Sequence, residues 1–336
     1  MTVRAADLPP LHKGRRAVKL QKIYDAIIQE GIKKDPRDAS AISAKLKEEK
    51  EKYDKLDAKK KKVFDKDRLV NPFYDSRILY GDPNTEVKTM IVGIDMEVGE
   101  IVLADRLCEK GKKIDLVLGH HPDGHALATF YRVMELQNDV LVKNGVSISA
   151  AEHLTSERMS EVSRSVAPAN HMRSVDAARL LNMPLMCAHT PADNHVYSYL
   201  QNLFDKKKPK KLKDILDLLN KEPEYHESAK NNCAPRLISG SPENSAGKIM
   251  VDMTGGTEGS RNMFASLANG GVSTLVCMHL SEAHLKKAKE ARLNVVIAGH
   301  IASDNLGLNL LLDSVVKKEK IKILEASGFR RFSRLK

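Results

Sequence analysis

Histidines that directly follow short apolar segments are the residues of this chain whose type and position best suit chemistry. The three cases are Gly119-His120-His121-Pro122 after residues 114–118, His189 after residues 184–188, and Gly299-His300 after residues 295–298. An aspartate follows two of these histidines at a spacing of four, as Asp193 and Asp304. Imidazole and carboxylate groups are ligands for Zn, Fe, Mn or Co. A single histidine after a strand is usually structural, and a single aspartate there is usually a helix cap. The threefold repetition of the pattern predicts a divalent metal site.

The adjacent pair His120 and His121 leaves the number of ions open. Neighbouring side chains in an extended chain point in opposite directions. One ion holds both imidazoles only if the chain turns there; otherwise each serves a different ion of a pair. Paired ions, about 3.5–4 Å apart, can activate a water molecule and stabilise an oxyanion, which would suit hydrolysis.

Other polar residues are candidates for proton transfer near such a site. His189 is also a candidate to orient a ligand by a hydrogen bond. His279 and Glu282 follow the apolar segment 274–278 and are candidate proton donors or substrate contacts. The alternative is that both are exposed polar residues at a helix start, where Glu282 suits the helix dipole. The glycine-rich turn 255–259 can cradle a phosphate with backbone N–H groups, although it lacks the lysine of a P-loop.

The elements that must position these residues form two sections of similar build. The first has apolar strands at 89–95, 114–118 and 184–188, and the helix 101–110 makes a strand–helix–strand unit with parallel strands. The second has four strands and three helices, at 248–252, 260–269, 274–278, 282–291, 295–298, 303–316 and 321–324. Ligand crevices in open α/β sheets lie beyond the carboxyl ends of the strands. The sequence predicts an α/β protein of two lobes, with mixed or parallel sheets flanked by helices and a metal site in the crevice between them.

Four regions follow from these patterns. Residues 1–70 form a charged helical extension, in which helices 17–30 and 37–64 make a hairpin that packs on the body or on another subunit. Residues 71–205 form the first lobe with a helical insertion at about 126–181. Residues 206–247 are linker and loop, and residues 248–336 form the second lobe.

The charge, the apolar runs and the cysteines of the chain indicate which classes of protein it does not resemble. The net charge is +11, and residues 1–68 hold 20 Lys and Arg against 12 Asp and Glu. The two signs alternate there, which is typical of a solvated helix face rather than of a nucleic-acid-binding arm. No apolar run reaches the roughly 20 residues of a membrane span, and the first ten residues lack signal-peptide features. The four cysteines are far apart and fit reduced thiols. We therefore expect a cytoplasmic protein that does not bind membranes, and the alternating charges favour an exposed helix face over a nucleic-acid-binding arm.

The ordered motifs resemble the Nif3-like family, also called domain of unknown function thirty-four, whose members are often named GTP cyclohydrolase I type 2 homologues. The matching segments are Asp75-Ser-Arg-Ile-Leu-Tyr-Gly81, Ile94-Asp95, His120-His121-Pro122, His189-Thr-Pro-Ala-Asp193, Gly255-Gly-Thr-Glu-Gly259 and Gly299-His-Ile-Ala-Ser-Asp304. The resemblance covers about residues 75–316. It implies a two-metal site and a homo-oligomeric ring, such as a hexamer, with the metals facing an inner cavity.

The resemblance also implies which residues bind the metals. The implied ligands are His120, His121, Asp193, His300 and Asp304. Asp304 stands where the family usually has a longer Glu, so the reach of this ligand differs. Residues 126–181 lengthen the gap between the first two metal motifs, and residues 200–248 are too few for the insertion domain of some members.

Three functions remain open at this stage. The first is a dinuclear metal-dependent hydrolase of a small anionic or nucleotide-like substrate, with Glu282, His279 or His189 moving protons. The second is a metal-storage, metal-delivery or regulatory binding protein without turnover. The third, nucleic acid binding through residues 1–68, predicts affinity that falls steeply with salt.

Overall fold

The computed structural model of the chain describes residues 17–317 and 321–335. The first 16 residues of the predicted extension, including those on which the expectation about a signal peptide rests, lie outside this part. Within it, no helix is both long and apolar enough to cross a bilayer.

The N-terminal region contains more elements than the predicted hairpin. They are β1 (Val18–Lys19), α1 (Leu20–Lys33), α2 (Ala39–Asp54), α3 (Ala58–Val63) and a 3₁₀ turn at Lys66–Leu69. The apolar stripe of α1 is buried in the core of the first lobe, so this helix is part of the body rather than an appendage. The predicted helix 37–64 is interrupted, because the Asp57 side chain accepts a hydrogen bond from the Lys60 N–H and starts a new helix.

The first lobe then begins, and the chain crosses to the second and back. The elements of the first half are β2 (Ser76–Tyr80), β3 (Glu86–Val87), β4 (Thr89–Gly93), α4 (Val98–Glu109), β5 (Leu116–Gly119), α5 (Gly124–Thr129), a 3₁₀ helix (Phe130–Glu135), α6 (Leu136–Lys143), α7 (Ile148–Val166), α8 (Arg173–Leu180), β6 (Leu185–Ala188) and α9 (Thr190–Lys207). Those of the second half are α10 (Leu212–Leu219), α11 (Pro223–Lys230), β7 (Arg236–Ser239), β8 (Lys248–Asp252), α12 (Met263–Asn269), β9 (Val272–Cys277), α13 (Glu282–Glu290), β10 (Asn294–Ile297), α14 (His300–Val316) and β11 (Lys322–Glu325).

A five-stranded sheet forms the first lobe, in the order β11-β4-β5-β6-β2. Its strands are parallel except for β2, which pairs antiparallel with β6 at one edge. The predicted unit β4-α4-β5 is confirmed. The strand β11 was expected in the second lobe, but it pairs with β4 at the far edge of this sheet. Its short apolar run indicates a strand and carries no information about which sheet receives it.

A four-stranded sheet forms the second lobe, in the order β7-β10-β9-β8. The three strands β8, β9 and β10 are parallel, and β7 is antiparallel at the edge. Residues 206–247, expected to be linker and loop, contain α11 and β7. The two-lobe α/β architecture with mixed sheets is thus confirmed, while the linker region is more structured than predicted.

The helices of the predicted insertion cover the second sheet rather than a free surface. Leu136, Val140 and Ala151, from α6 and α7, share an apolar cluster with residues of β8, β9 and β10. On the other face, α9 and α10 pack against the same sheet. The insertion assigned to the first lobe therefore joins the two lobes.

Candidate metal centre

The carboxyl ends of the two sheets face each other across a cavity of about 270 Å³. His120 and His121 follow β5, His189 follows β6, and Asp193 lies in the first turn of α9. From the other lobe, His300 begins α14 directly after β10, and Asp304 lies one turn later. The structure thus brings these groups together from the carboxyl ends of two sheets.

Glycines allow α9 and α14, the helices that carry Asp193 and Asp304, to approach closely. Gly299 precedes His300 with φ of +111°, a conformation that side-chain-bearing residues rarely adopt. At Gly307 in α14, a Cβ atom would lie 2.5 Å from the Ala192 carbonyl oxygen. Because glycine has no such atom, α14 packs directly against the start of α9, and Asp304 comes close to Asp193.

Asp304 is the centre of the cluster. Its Oδ1 lies 3.5 Å from Nε2 of His120. Its Oδ2 lies 3.6 Å from Nε2 of His121 and 3.5 Å from Nε2 of His300. Asp193 Oδ1 lies 3.4 Å from the same Nε2 of His120. One oxygen of Asp304 therefore faces His120 and Asp193, and the other faces His121 and His300.

Several buried polar atoms of the cluster have no hydrogen-bond partner among the described residues. They are Nε2 of His120, Oδ1 of Asp193 and both carboxylate oxygens of Asp304. Leaving such atoms unsatisfied costs about 1–3 kcal/mol each, and more for charged groups. Their separations, with ligand atoms within 4.8 Å of one another, suit coordination to a shared ion. The buried histidine and aspartate groups thus fit a divalent metal.

Three of the imidazoles are held with Nε2 directed into the cluster. His120 donates from Nδ1 to the Ala188 carbonyl at 3.2 Å. His121 donates from Nδ1 to Asp95 at 2.6 Å, and His189 to the buried Asp75 at 2.8 Å. A hydrogen bond at Nδ1 fixes both the tautomer and the ring orientation, and leaves the Nε2 lone pair free for a metal.

His189, predicted as a catalytic residue, lies within the ligand cluster. Its ring centroid is 4.8 Å from that of His120 and 5.7 Å from that of His121, and its Nε2 is 3.7 Å from Asp193 Oδ2. Its position suits a metal ligand as well as it suits a proton carrier.

Burial and charge set the protonation of the cluster without a metal. Burial lowers the pKa of His120 to about 4, so this imidazole is neutral. Burial opposes charge on His189 too, but the carboxylates of Asp193 and Asp75 outweigh it and raise its pKa to about 9. Burial raises the pKa of Asp193. For Asp304, the surrounding histidines outweigh burial and lower the pKa. Because His189 is protonated at neutral pH in the absence of a metal, coordination through its Nε2 would displace a proton.

The opposite wall of the cavity carries a second polar group. Glu258, in the glycine-rich turn, accepts hydrogen bonds from the Ser281 N–H at 2.7 Å and from His279 Nδ1 at 3.3 Å. The His279 ring packs on the His300 ring with centroids 4.8 Å apart. The hydrogen bond with Glu258 raises the pKa of His279. Glu282 is exposed in the first turn of α13 and does not line this cavity.

Two residues of this site were missed or undervalued at the sequence level. Asp75 precedes β2 and is fully buried, where it accepts from Thr190 Oγ1 at 2.6 Å as well as from His189. Glu258 was considered only as part of a phosphate-binding turn. Neither has a local sequence signal, because each acts on a histidine distant in the chain.

Comparison with solved structures gives matches over most of the chain. A NIF3 superfamily protein from Sphaerobacter thermophilus is 25% identical, with a TM-score of 0.66 over 76% of this chain and 91% of that one. Reduced HcgD from Methanocaldococcus jannaschii is 16% identical with a TM-score of 0.48, over 74% of this chain and 87% of that one. A Bacillus cereus protein related to NIF3 is 11% identical with a TM-score of 0.38, over 75% and 90% of the two chains.

No family model matches the sequence, and the comparison with curated proteins gives no match. The assignment therefore rests on the first of these structures, whose TM-score exceeds 0.5, and on its agreement with the ordered motifs. The two-sheet architecture and the His/Asp cluster at the facing sheet ends are consistent with that likeness. The structural comparison and the ordered motifs together support a Nif3-like family for this chain.

Proposed function

We propose that the chain is a dinuclear metal-dependent hydrolase that acts on a small anionic substrate. The observation that supports it most is the placement of Asp304, whose two oxygens face different histidines. We assign one ion to His120, His189 and Asp193, a second to His121 and His300, with Asp304 shared between them. Divalent ions held there would activate a water molecule and polarise a carbonyl or phosphoryl group.

The shorter Asp304 still suits a shared ligand. Its carboxylate is less than 4 Å from the Nε2 atoms of all three neighbouring histidines. The close packing of α14 on α9, which Gly307 permits, brings the backbone of α14 towards the cluster. This approach compensates for the methylene group that glutamate would add.

His279 is the best-placed proton carrier of the opposite wall. Glu258 holds its Nδ1, so Nε2 is the atom left to exchange a proton with a bound substrate. The pKa of Glu258 is lowered, because its hydrogen bonds and the nearby histidines outweigh its burial, and the group is therefore ionised. The role of Glu282, the other predicted proton carrier, stays a prediction.

Elemental analysis tests the metal centre directly. We expect two divalent ions per chain in the purified protein and fewer than one in Asp304→Asn, which keeps the shape but removes the charge. Asp115→Asn is the matched control, because Asp115 is a buried carboxylate that bonds to backbone N–H groups away from the cluster. Equal metal contents in all three proteins would refute the assignment.

A hydrolysis screen of the metal-loaded protein tests turnover. Suitable probes are nucleotides, phosphoesters and cyclic amides. For any substrate found, Glu258→Gln is expected to lower kcat and shift the pH profile. Glu282→Gln is the matched comparison. An equal loss of kcat in that variant would indicate that Glu282 takes part in proton transfer.

A metal-handling protein is the alternative function. It is favoured by the exposure of His300, whose side chain is 40% accessible and offers a route for ion exchange. Rapid loss of metal to a chelator, without hydrolysis of any probe, would support this alternative. The homo-oligomeric ring also stays a prediction, which light scattering during size-exclusion chromatography can test.

A further inference from the structure

A large groove adjoins the metal cavity on the far side of His279 and His300. Its volume is about 940 Å³, compared with about 270 Å³ for the cavity that holds the cluster. Both spaces are lined by Met278, His279 and His300, so the two histidine rings stand at their junction. The small cavity has room for ions and a reacting group, whereas pockets for whole ligands usually measure about 300–1,000 Å³.

The acidic residues that line the groove are already paired. Glu224 is held by Arg334 at 2.7 Å and also accepts from the Asn309 amide at 3.0 Å. Glu227 pairs with Lys230 at 3.1 Å. These carboxylates therefore contribute little net negative charge to the groove.

Two arginines that line the groove are not neutralised. Arg236, on the edge strand β7, is exposed, and its side chain has no hydrogen-bond or ion-pair partner within residues 17–317 and 321–335. The guanidinium of Arg330, which follows β11, donates among the described residues only to the carbonyl of the neighbouring Phe329, at 2.8 Å. A guanidinium with unused donors recognises phosphate or carboxylate oxygens with paired hydrogen bonds.

We propose that this groove binds the anionic end of the substrate, a doubly charged oxyanion such as a phosphate monoester, through Arg236 and Arg330. The reacting end of the same molecule then passes His300 and His279 to reach the metal cluster. This inference rests on the proposed function for the identity of the ligand as a substrate. The oxyanion site itself does not depend on the metals.

Inorganic pyrophosphate is the probe for this site, titrated calorimetrically into chelator-treated protein so that no metal can hold it. We expect saturable binding that weakens at least tenfold in Arg236→Ala/Arg330→Ala. Arg173→Ala/Arg292→Ala is the control, because it removes two exposed positive charges that line neither the cavity nor the groove. Succinate, titrated in parallel, distinguishes phosphate from carboxylate recognition.

The outcomes separate this inference from the metal centre. Binding that falls equally in both double variants, or no binding to the wild-type protein, would overturn the groove site. Binding that appears only with metal and ignores the arginines would also overturn it, and would leave the metal centre intact. If the protein as purified contained no metal but still bound pyrophosphate through the two arginines, the groove site would be supported and the proposed hydrolase would be refuted.

Discussion

At the scale of single residues, two histidines of the cluster are oriented by carboxylates that lie behind them, on the side away from the cluster. Asp75 is fully buried and fixes His189, whereas Asp95, which fixes His121, has a side chain that is 56% exposed. A hydrogen bond to a charged group is stronger where water cannot compete for it. The two histidine–aspartate pairs therefore differ in strength although their geometry is similar.

Asp75→Asn is expected to lower metal affinity by about 10–100-fold, the usual effect of losing a carboxylate behind a histidine ligand. Asp95→Asn serves as the exposed counterpart and should have a smaller effect. Competition with a chromophoric chelator measures both. A larger loss in Asp95→Asn would contradict the argument from burial.

Asp252, at the end of β8, gives a pH-dependent prediction. Burial raises its pKa to about 6 from an ordinary value of 3.8. The native protein therefore holds this proton to a higher pH than the unfolded chain does, so the group reduces stability as the pH rises from about 4 to 6. Above about pH 6 the destabilisation caused by the ionised Asp252 is complete and no longer changes with pH.

Asp252→Asn should accordingly stabilise chelator-treated protein by about 1–3 kcal/mol at pH 8, and by less at pH 5. Urea unfolding at the two pH values measures the difference. A gain that is the same at both values would mean that Asp252 is not the titrating group.

At the scale of elements, α14 is held from outside by the segment that follows β11. Asn305 accepts from the Arg330 N–H at 2.6 Å, and Asn309 accepts from the Phe332 N–H at 3.0 Å. Asp313 accepts from the Arg334 N–H at 2.7 Å. These side chains are spaced by four, so one face of α14 binds an extended chain along its length.

Asn309→Ala should therefore destabilise the protein by roughly 1–3 kcal/mol, because it leaves partly buried backbone groups unpaired. Ser314→Ala, at an exposed position of the same helix, should have little effect. Urea unfolding measures the stability, and hydrogen exchange of the Phe332 amide reports release of the segment. Unchanged exchange in Asn309→Ala would show that the segment is held by other contacts.

Much of this architecture was predictable from local patterns. The apolar runs ending in histidine located β5, β6 and β10, and the five ligands implied by the resemblance all lie in one cluster. Relations between distant segments were not predictable. Nothing near residues 322–325 indicates pairing with β4, and nothing near Asp75 indicates a bond to His189.

At the scale of the whole molecule, the cluster joins the lobes. His120, His121 and Asp193 come from the end of the first sheet, whereas His300 follows the last strand of the second. A ligand that binds only the folded protein stabilises it in proportion to the logarithm of its concentration over Kd. Metal bound across both lobes should therefore resist their separation.

Removing the metal with a chelator is expected to lower Tm by several degrees, and restoring it should reverse the change. The Tm of Asp304→Asn should respond less than that of the wild-type protein to both treatments. Differential scanning calorimetry measures both proteins. A Tm in the wild-type protein that is insensitive to the chelator, despite complete metal removal, would show that the lobes are held without the ions.

The pairing of β11 with β4 has a consequence for biosynthesis. Thr89 and Lys322 are neighbours in the sheet, yet almost the entire second lobe is translated between them. A nascent chain on the ribosome thus carries β4 as an open edge until the segment after α14 emerges. Open edges invite pairing with other chains, so this protein should need chaperone protection for most of its translation.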